Sequence, residues 1–259
     1  MAPVHARQGP HPLRLSNFLH SHVIGSPASI PSRSPAAGFF SLQGELVLPL
    51  TAVALVALPV FIQAPLVRLA PWIAVLTTAL LLSTGVLLER FGSHRWSDLG
   101  ALLVGFSGSW LAGSLFWGWF RLHPICHLPI EGCLLPLALA GLSTRWRLAC
   151  SFYLASLVGT AATDAGIAVT GLMPYWPNVL EAPLPEASLL LRDAATLVFE
   201  PLHLLLLAAL ALLLIQVCRQ LWRLGQAGRV ASATLAATLG VDALFLGASL
   251  LAPRFSGLI

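Results

Sequence analysis

The segment LVFEPLHLLLLAALALLLIQV, residues 197–217, decides the fold class of this chain. It carries one acidic residue, Glu200, and no basic residue other than His203. As a helix it is long enough to cross the hydrocarbon core of a bilayer, which takes about 20 residues. Because a backbone in lipid must satisfy its own hydrogen bonds, the segment is expected to be a transmembrane helix.

Similar apolar runs occur along most of the chain. Together with the first segment they give seven candidate spans, which cover roughly 46–63, 71–88, 99–120, 127–142, 148–171, 197–217 and 231–252. The whole chain is 57% hydrophobic and only 9% charged, whereas soluble domains carry about 25% charged residues. No alternating pattern typical of a transmembrane β-barrel is found. The sequence therefore predicts an all-α, polytopic transmembrane helix bundle with about seven spans.

The chain divides into two parts of different composition. Residues 1–44 contain Arg, Ser and Pro but no acidic residue, which predicts a disordered tail. A targeting segment has a similar composition, and a wrongly assigned start site is a third interpretation. Residues 45–259 form the predicted transmembrane domain. Within it the fourth span is the weakest, because it contains Pro129, Glu131 and Pro136, and the stretch 172–195 is expected to be a loop.

The distribution of arginine predicts the orientation of the chain. Four arginines fall on one side of the predicted membrane, namely Arg68, Arg121, Arg192 and Arg254. The other ten fall on the opposite side, namely Arg7, Arg14, Arg33, Arg90, Arg95, Arg145, Arg147, Arg219, Arg223 and Arg229. Positive charge accumulates on the cytoplasmic side, so the amino terminus is expected in the cytoplasm and the carboxyl terminus outside it. Since apolar runs separate the arginines, nucleic acid is not an expected partner.

Acidic residues within the spans are candidates for an ion or proton path. Asp242 lies near the middle of the seventh span, with Thr234 and Thr238 on the same helical face. Asp164 lies in the fifth span on a face with Thr160. Asp242 is expected to face the interior of the bundle near Asp164, because a carboxylate at this depth is costly in lipid. The alternative is that both residues only make polar contacts between helices.

Histidine and glutamate recur near the predicted outer face. His123, His127 and Glu131 follow one another at four-residue spacing, and Glu200 precedes His203 by three residues. A Glu-x-x-His pattern can bind metal on a bundle helix, although known sites need the pattern twice. The group therefore predicts a ligand site, with a small-molecule pocket, a metal or haem site, and ordinary helix ends as the three interpretations. Neither a metal nor a cofactor is identified by the sequence.

Small residues on the third span indicate close helix packing. Gly105, Ser109 and Gly113 share one helical face, which lets another helix approach. The chain contains no GxGxxG motif of a dinucleotide fold, no P-loop, no GxSxG and no HExxH. These absences favour a non-catalytic protein. No internal repeat of the kind found in many transporters is evident.

Several short motifs carry a resemblance to a known family. They are PVFIQAPLVR at 59–68, WSDLGALLVGFSGSWLAGSLFWGW at 96–119, HLPIE at 127–131, GTAATD at 159–164, LMPYWP at 172–177 and VDALF at 241–245. Over roughly residues 46–250 the chain resembles a cyanobacterial family of multi-pass membrane proteins, a domain of unknown function. The resemblance implies the plasma or thylakoid membrane of a photosynthetic bacterium, and it supplies no activity.

Three functions remain open from the sequence. The first is an accessory or assembly factor of a membrane complex, whose partners would be the bilayer and another membrane protein. The second is a secondary transporter or channel that uses Asp164 and Asp242. The third is a redox, metal or haem protein with its site in the outer histidine and glutamate group.

Overall fold

The protein is all-helical over residues 35–253, the part of the chain that the computed structural model describes. Its α-helices are α1 Pro35–Leu69, α2 Pro71–Phe91, α3 His94–Leu115, α4 His127–Glu131, α5 Leu135–Gly141, α6 Arg147–Val169, α7 Tyr175–Glu181, α8 Leu184–Leu197, α9 Pro201–Trp222 and α10 Gly225–Leu251. Residues 1–34 of the predicted tail 1–44 lie outside the described residues, as does Arg254. The rest of the predicted tail falls at the beginning of α1, where the side chains of residues 35–45 are not described.

Seven helical segments in the described range are long and apolar enough to cross a membrane, which confirms the predicted fold class. They are Leu46–Leu69, Pro71–Phe91, His94–Phe120, Pro124–Gly141, Arg147–Val169, Pro201–Trp222 and Gly225–Leu251. Prolines stand in the first turn of α2 and α9, where a missing N–H costs nothing because that group has no partner within the helix. Short connections such as the one at Ala70 make successive spans antiparallel neighbours.

The third span is the centre of the bundle. In its most apolar stretch 67% of the residues are buried, against 6% in the stretch of the sixth span, so α9 lies at the lipid-facing periphery. Four helices contribute to the main apolar core, which comprises Leu48 and Ala52 of α1, Ala101, Leu102, Phe106 and Trp110 of α3, Leu148 and Phe152 of α6, and Val230 and Ala233 of α10. Fixed packing around α3 is therefore what positions the polar groups described below.

The fourth span is broken, whereas the sequence predicted one helix over 127–142. It consists of a 3₁₀ turn at Pro124–Cys126, helix α4, a second 3₁₀ turn at Gly132–Leu134, and helix α5. Pro136 in the first turn of α5 cannot donate a hydrogen bond back into the preceding turn, so the α-helical ladder stops before it. Non-helical backbone at membrane depth persists only where protein or a cavity surrounds it.

The stretch 172–195, expected to be a loop, forms two short helices instead. Helix α8 packs on α10 through a buried face that contains Ala187, Leu191, Ala194 and Ala195. Charged residues such as Glu186 and Asp193 occupy its exposed face. The loop prediction was wrong because polar and apolar residues alternate with a helical period in this short stretch.

A candidate ligand cavity

A partly open cavity of about 570 Å³ lies among α1, α3, α6, α10 and the broken fourth span, and residues of α7 and α8 complete its wall. This volume falls within the usual range for small-molecule sites, about 300–1,000 Å³. Most of the lining is apolar, including Phe106, Trp110 and Phe152. Polar and charged side chains come from every spanning element around it, namely Gln63, Arg68, Ser109, Arg121, His127, Glu131, Ser156, Thr160, Thr163, Thr238 and Asp242.

Asp242 faces this cavity from α10 and is held by a residue of α6. The Thr163 hydroxyl donates a hydrogen bond of 2.7 Å to Asp242 Oδ2. Both residues, together with Thr238, also line a second cavity of about 270 Å³, which is almost entirely apolar. Asp242 therefore stands at the wall between the two cavities, one of which has several polar side chains in its lining while the other is almost entirely apolar.

Asp164 has a different partner. Its Oδ1 lies 3.0 Å from His127 Nδ1, and both side chains are mostly buried, at 13% and 16% exposure. The His127 ring also packs against Phe116, with ring centroids 4.2 Å apart. The sequence placed Asp164 and His127 in two separate candidate groups, and the structure brings them together across α6 and the fourth span.

One tyrosine satisfies two backbone hydrogen-bonding groups beside the break in the fourth span. The Tyr153 hydroxyl of α6 donates to the Glu131 backbone carbonyl and accepts a hydrogen bond of 3.3 Å from the Leu134 amide. These are backbone groups near the interrupted ladder, and satisfying them is what makes such a break tolerable in a membrane. Tyr153 thus fixes the position of Glu131.

The Glu131 side chain is buried in the wall of the cavity. It is 7% exposed, it lines the cavity wall, and its Oε2 has no hydrogen-bond partner among the described residues. A buried carboxylate oxygen without a partner costs a few kcal/mol or more. Such a group is uncommon in native proteins, and a functional contact or a bound water explains it where it occurs.

Two arginines lie where the first and third spans end, on the same face of the bundle, and we call this part of the cavity the arginine end. Arg68 stands in the last turn of α1, and Arg121 follows a five-residue π-helix, Phe116–Phe120. The Arg121 carbonyl accepts a hydrogen bond of 2.7 Å from the Trp176 indole of α7. Short π-helices occur frequently at functional sites.

Gln63 is a buried polar contact that ties α1 to the central helix. Its side-chain amide donates to the Trp110 carbonyl at 2.7 Å and to Ser114 Oγ at 2.8 Å. The Trp110 indole in turn donates to the Ala74 carbonyl of α2 at 2.8 Å. The three helices are thereby held in register beside the cavity.

The predicted outer group of histidine and glutamate does not form one site. His127 and Glu131 line the cavity, but His123 is exposed and precedes the 3₁₀ turn, so the four-residue spacing does not continue through it. Glu200 Oε2 lies 3.7 Å from His203 Nδ1, and the Glu200 side chain is 58% exposed. Neither residue lines either of the two cavities. Within residues 46–253 no cluster of three or more His, Cys, Asp or Glu side chains could hold a metal ion.

The threonines predicted beside the acids have separate positions. Thr160 and Thr238 line the cavity, whereas Thr234 is fully buried and donates to the Val230 carbonyl of its own helix. Thr163, which the face analysis omitted, is the residue that reaches Asp242.

The small residues of α3 lie where two different helices approach. A β-carbon at Gly105 would collide with the Ala149 backbone of α6, and one at Gly113 would come within 3.2 Å of the Gln63 amide of α1. Ser109, between them, lines the cavity. Neighbouring helices approach α3 closely at Gly105 and at Gly113, and the cavity lies between these two contacts, at the level of Ser109.

Comparison with protein families identifies the chain. Residues 52–250 match the family described as Protein of unknown function (DUF3120), which covers more than half of the chain. The chain belongs to the DUF3120 family. This confirms the predicted resemblance to a domain of unknown function. No curated protein and no solved structure matches this DUF3120 chain.

Proposed function

We propose that this DUF3120 protein is a secondary transporter that moves a small solute through the cavity, coupled to protons carried by Asp242. One observation carries the proposal. Asp242 of α10 and the broken fourth span line the same cavity. Transporters place their substrate sites near the middle of the membrane beside interrupted helices, and carboxylates within spans mark proton or ion paths.

The surroundings of Asp242 suit a group that gains and loses a proton. The Thr163 hydroxyl stabilises the ionised carboxylate, while the apolar second cavity on the other side favours the neutral acid. The cavity supplies room for solute and water next to the carboxylate. Asp164 lies within hydrogen-bond distance of His127 and has a positioning role in the proposal, because the pair holds α6 against α4.

The test is a measurement of solute-driven current. The purified chain is reconstituted in proteoliposomes on a solid-supported membrane, and amino acids, carboxylates, amines, sugars and inorganic anions are added in turn at constant pH. The proposal predicts a transient current with at least one class, absent from protein-free liposomes. A reconstituted and correctly folded protein that gives no current with any class would contradict it.

An accessory or assembly role stays a prediction from the sequence, and purification with a tagged copy tests it separately. The membrane is proposed to be the plasma or thylakoid membrane of a cyanobacterium, on the strength of the motif resemblance alone.

A further inference from the structure

We infer that the second cavity binds one acyl chain of a bilayer lipid between the helices. This cavity of about 270 Å³ lies among α6, α7, α8, α9 and α10 and is partly open. The inference does not depend on the proposed transport, because it concerns the contents of the apolar cavity and not the solute in the larger one. Its support comes from the polarity, the size, the length and the position of the second cavity.

The wall of the second cavity offers few partners to water. Four aliphatic hydroxyl groups line it, those of Thr163, Thr170, Thr238 and Ser249. The Thr163 hydroxyl donates to the Asp242 carboxylate, and each of the other three donates to the backbone carbonyl four residues earlier. A buried water needs about two to four polar partners, so a cavity whose hydroxyl donors are committed in this way favours apolar contents.

An empty space of this size is unfavourable in a packed bundle. Atoms that line a void lose the dispersion contacts that a neighbour would supply, and a dry apolar cavity of about 150 Å³ takes up benzene. Small side chains on three helices leave the space open, among them Gly166 of α6, Ala194 of α8 and Ala211 of α9. A β-carbon at Gly166 would meet only the end of the Leu207 side chain, at 3.1 Å, so no neighbouring backbone closes the wall there. Hydrocarbon is therefore the expected content.

The second cavity extends over about one leaflet of a bilayer. Its lining runs along α10 from Leu235 to Ser249, fourteen residues apart, which is about 21 Å of helix. Leu235 lies near the middle of α10 and Ser249 lies close to its end at Leu251. A bilayer with its headgroup regions is about 40–45 Å thick, so half of a bilayer matches this length. A chain that enters at the Ser249 end therefore reaches the middle of the membrane.

The position of the second cavity favours a bilayer lipid as the source of the chain. Helix α9 forms one wall and lies at the lipid-facing periphery of the bundle. Tyr175 and Trp176, which follow the end of α6 and begin α7, also line the cavity. Rings of this type suit the headgroup level of a membrane. A lipid with its headgroup beside α7 and one chain between the helices fits both observations.

Photolabelling in a defined bilayer tests the inference. The full chain is reconstituted in dioleoyl phosphatidylcholine vesicles with a small fraction of phosphatidylcholine that carries a diazirine at the end of one acyl chain, and mass spectrometry locates the labelled residues after irradiation. We expect label at Leu235 or Leu239, which line the cavity. Leu235 is only 1% exposed, so a lipid outside the bundle does not reach it. Leu205 and Leu212 of α9 are exposed and report the lipid outside.

Variants that fill the cavity separate a bound chain from ordinary lipid contact. Ala162→Phe fills the cavity from α6 and is expected to lower the label inside it several-fold, relative to the label on the exposed α9 leucines. Ala168→Phe adds the same side chain at an exposed position of α6 outside the cavity lining, so the ratio should not change. Ala211→Phe on α9, with the exposed Ala208→Phe as its control, makes the same comparison from another wall if Ala162→Phe does not fold.

Three results would overturn the inference. They are label confined to exposed residues of the wild type, an unchanged ratio in a folded cavity-filling variant, and stronger label inside the cavity from a free fatty acid with the same diazirine chain than from the phosphatidylcholine at equal mole fraction. The last result would assign the site to a single-chain amphiphile. Labelling needs no transport, so label inside the cavity without any solute-driven current would contradict the transport proposal and leave the lipid site standing.

Discussion

The Thr163 hydroxyl of α6 donates a 2.7 Å hydrogen bond to the Asp242 carboxylate of α10, and the next residue, Asp164, pairs with His127 of the fourth span. Consecutive residues on a helix point about 100° apart. Two adjacent positions of α6 therefore connect to two different spans, and both connections border the cavity. Helix α6 therefore contacts α10 and the broken span through neighbouring side chains.

Removal of the Thr163 hydroxyl should affect transport more than stability. Thr163→Val keeps the shape of the side chain and deletes the donor to Asp242. Polar contacts between membrane helices average about 0.6 kcal/mol, so thermal unfolding in detergent should change little. The solute-driven current should fall several-fold, because the ionised form of Asp242 loses its partner. Thr170→Val, at the residue that follows the end of α6, is the matched control, since the Thr170 hydroxyl donates only to carbonyls of the last turn of α6. Equal losses of current in the two variants would contradict the assigned role.

Tyr153→Phe should destabilise the protein although the buried aromatic ring is kept. The variant keeps the buried ring and leaves the Glu131 carbonyl and the Leu134 amide without the phenol. Leaving buried polar groups unsatisfied costs about 1–3 kcal/mol, which a shift in the thermal unfolding midpoint will report. Tyr175→Phe removes the same hydroxyl from α7, away from the broken span, and should shift the midpoint less. A larger shift for Tyr175→Phe would contradict the role of Tyr153 at the break.

Gly105→Ala should be strongly destabilising, whereas Gly240→Ala should not. A β-carbon at position 105 meets the Ala149 backbone, so α3 and α6 must move apart. At position 240 nothing lies within 4 Å, and alanine is the better helix former by about 1 kcal/mol. The yield and unfolding midpoint of the two variants in detergent compare them directly. Similar midpoints for both would show that the close contact at Gly105 does not hold the helices together.

The orientation of the chain is a prediction from arginine alone, and reporter fusions test it. A reporter at the carboxyl terminus should behave as non-cytoplasmic. One inserted between the end of α9 at Trp222 and the beginning of α10 at Gly225 should behave as cytoplasmic. Two reporters on the same side would mean that α10 does not cross the membrane.

The sequence predicted the fold well because long apolar runs leave few alternatives in a membrane. Residues 204–215 contain only Leu, Ala and Ile. No soluble structure of this chain would bury this segment together with the six other apolar spans. Pro129 and Pro136 marked the fourth span as the weakest one, but they did not show that the helix is interrupted, because Pro129 is tolerated in the first turn of a helix. The position of the break depends on Tyr153, which is distant in sequence.

The candidate site was predicted in part. Helical spacing indicated that Asp242 and Thr238 share a face, and both line the cavity. Spacing within one helix cannot show which residue of another helix comes near, so the Asp164–His127 pair and the Thr163 contact were missed. Gln63 left a usable signal, since it is a lone amide in an apolar run between Pro59 and Pro65.

Proton coupling through Asp242 is the central claim, and proton flux in proteoliposomes tests it most directly. Vesicles that contain a trapped pH-sensitive dye and the reconstituted wild-type chain are given the solute with the largest current, at zero membrane potential. Solute entry should acidify the lumen. Asp242→Asn keeps the shape of the side chain without a proton to exchange, so it should reconstitute normally and give no acidification, while Asp193→Asn matches the wild type. Acidification by Asp242→Asn at the wild-type rate would contradict the account.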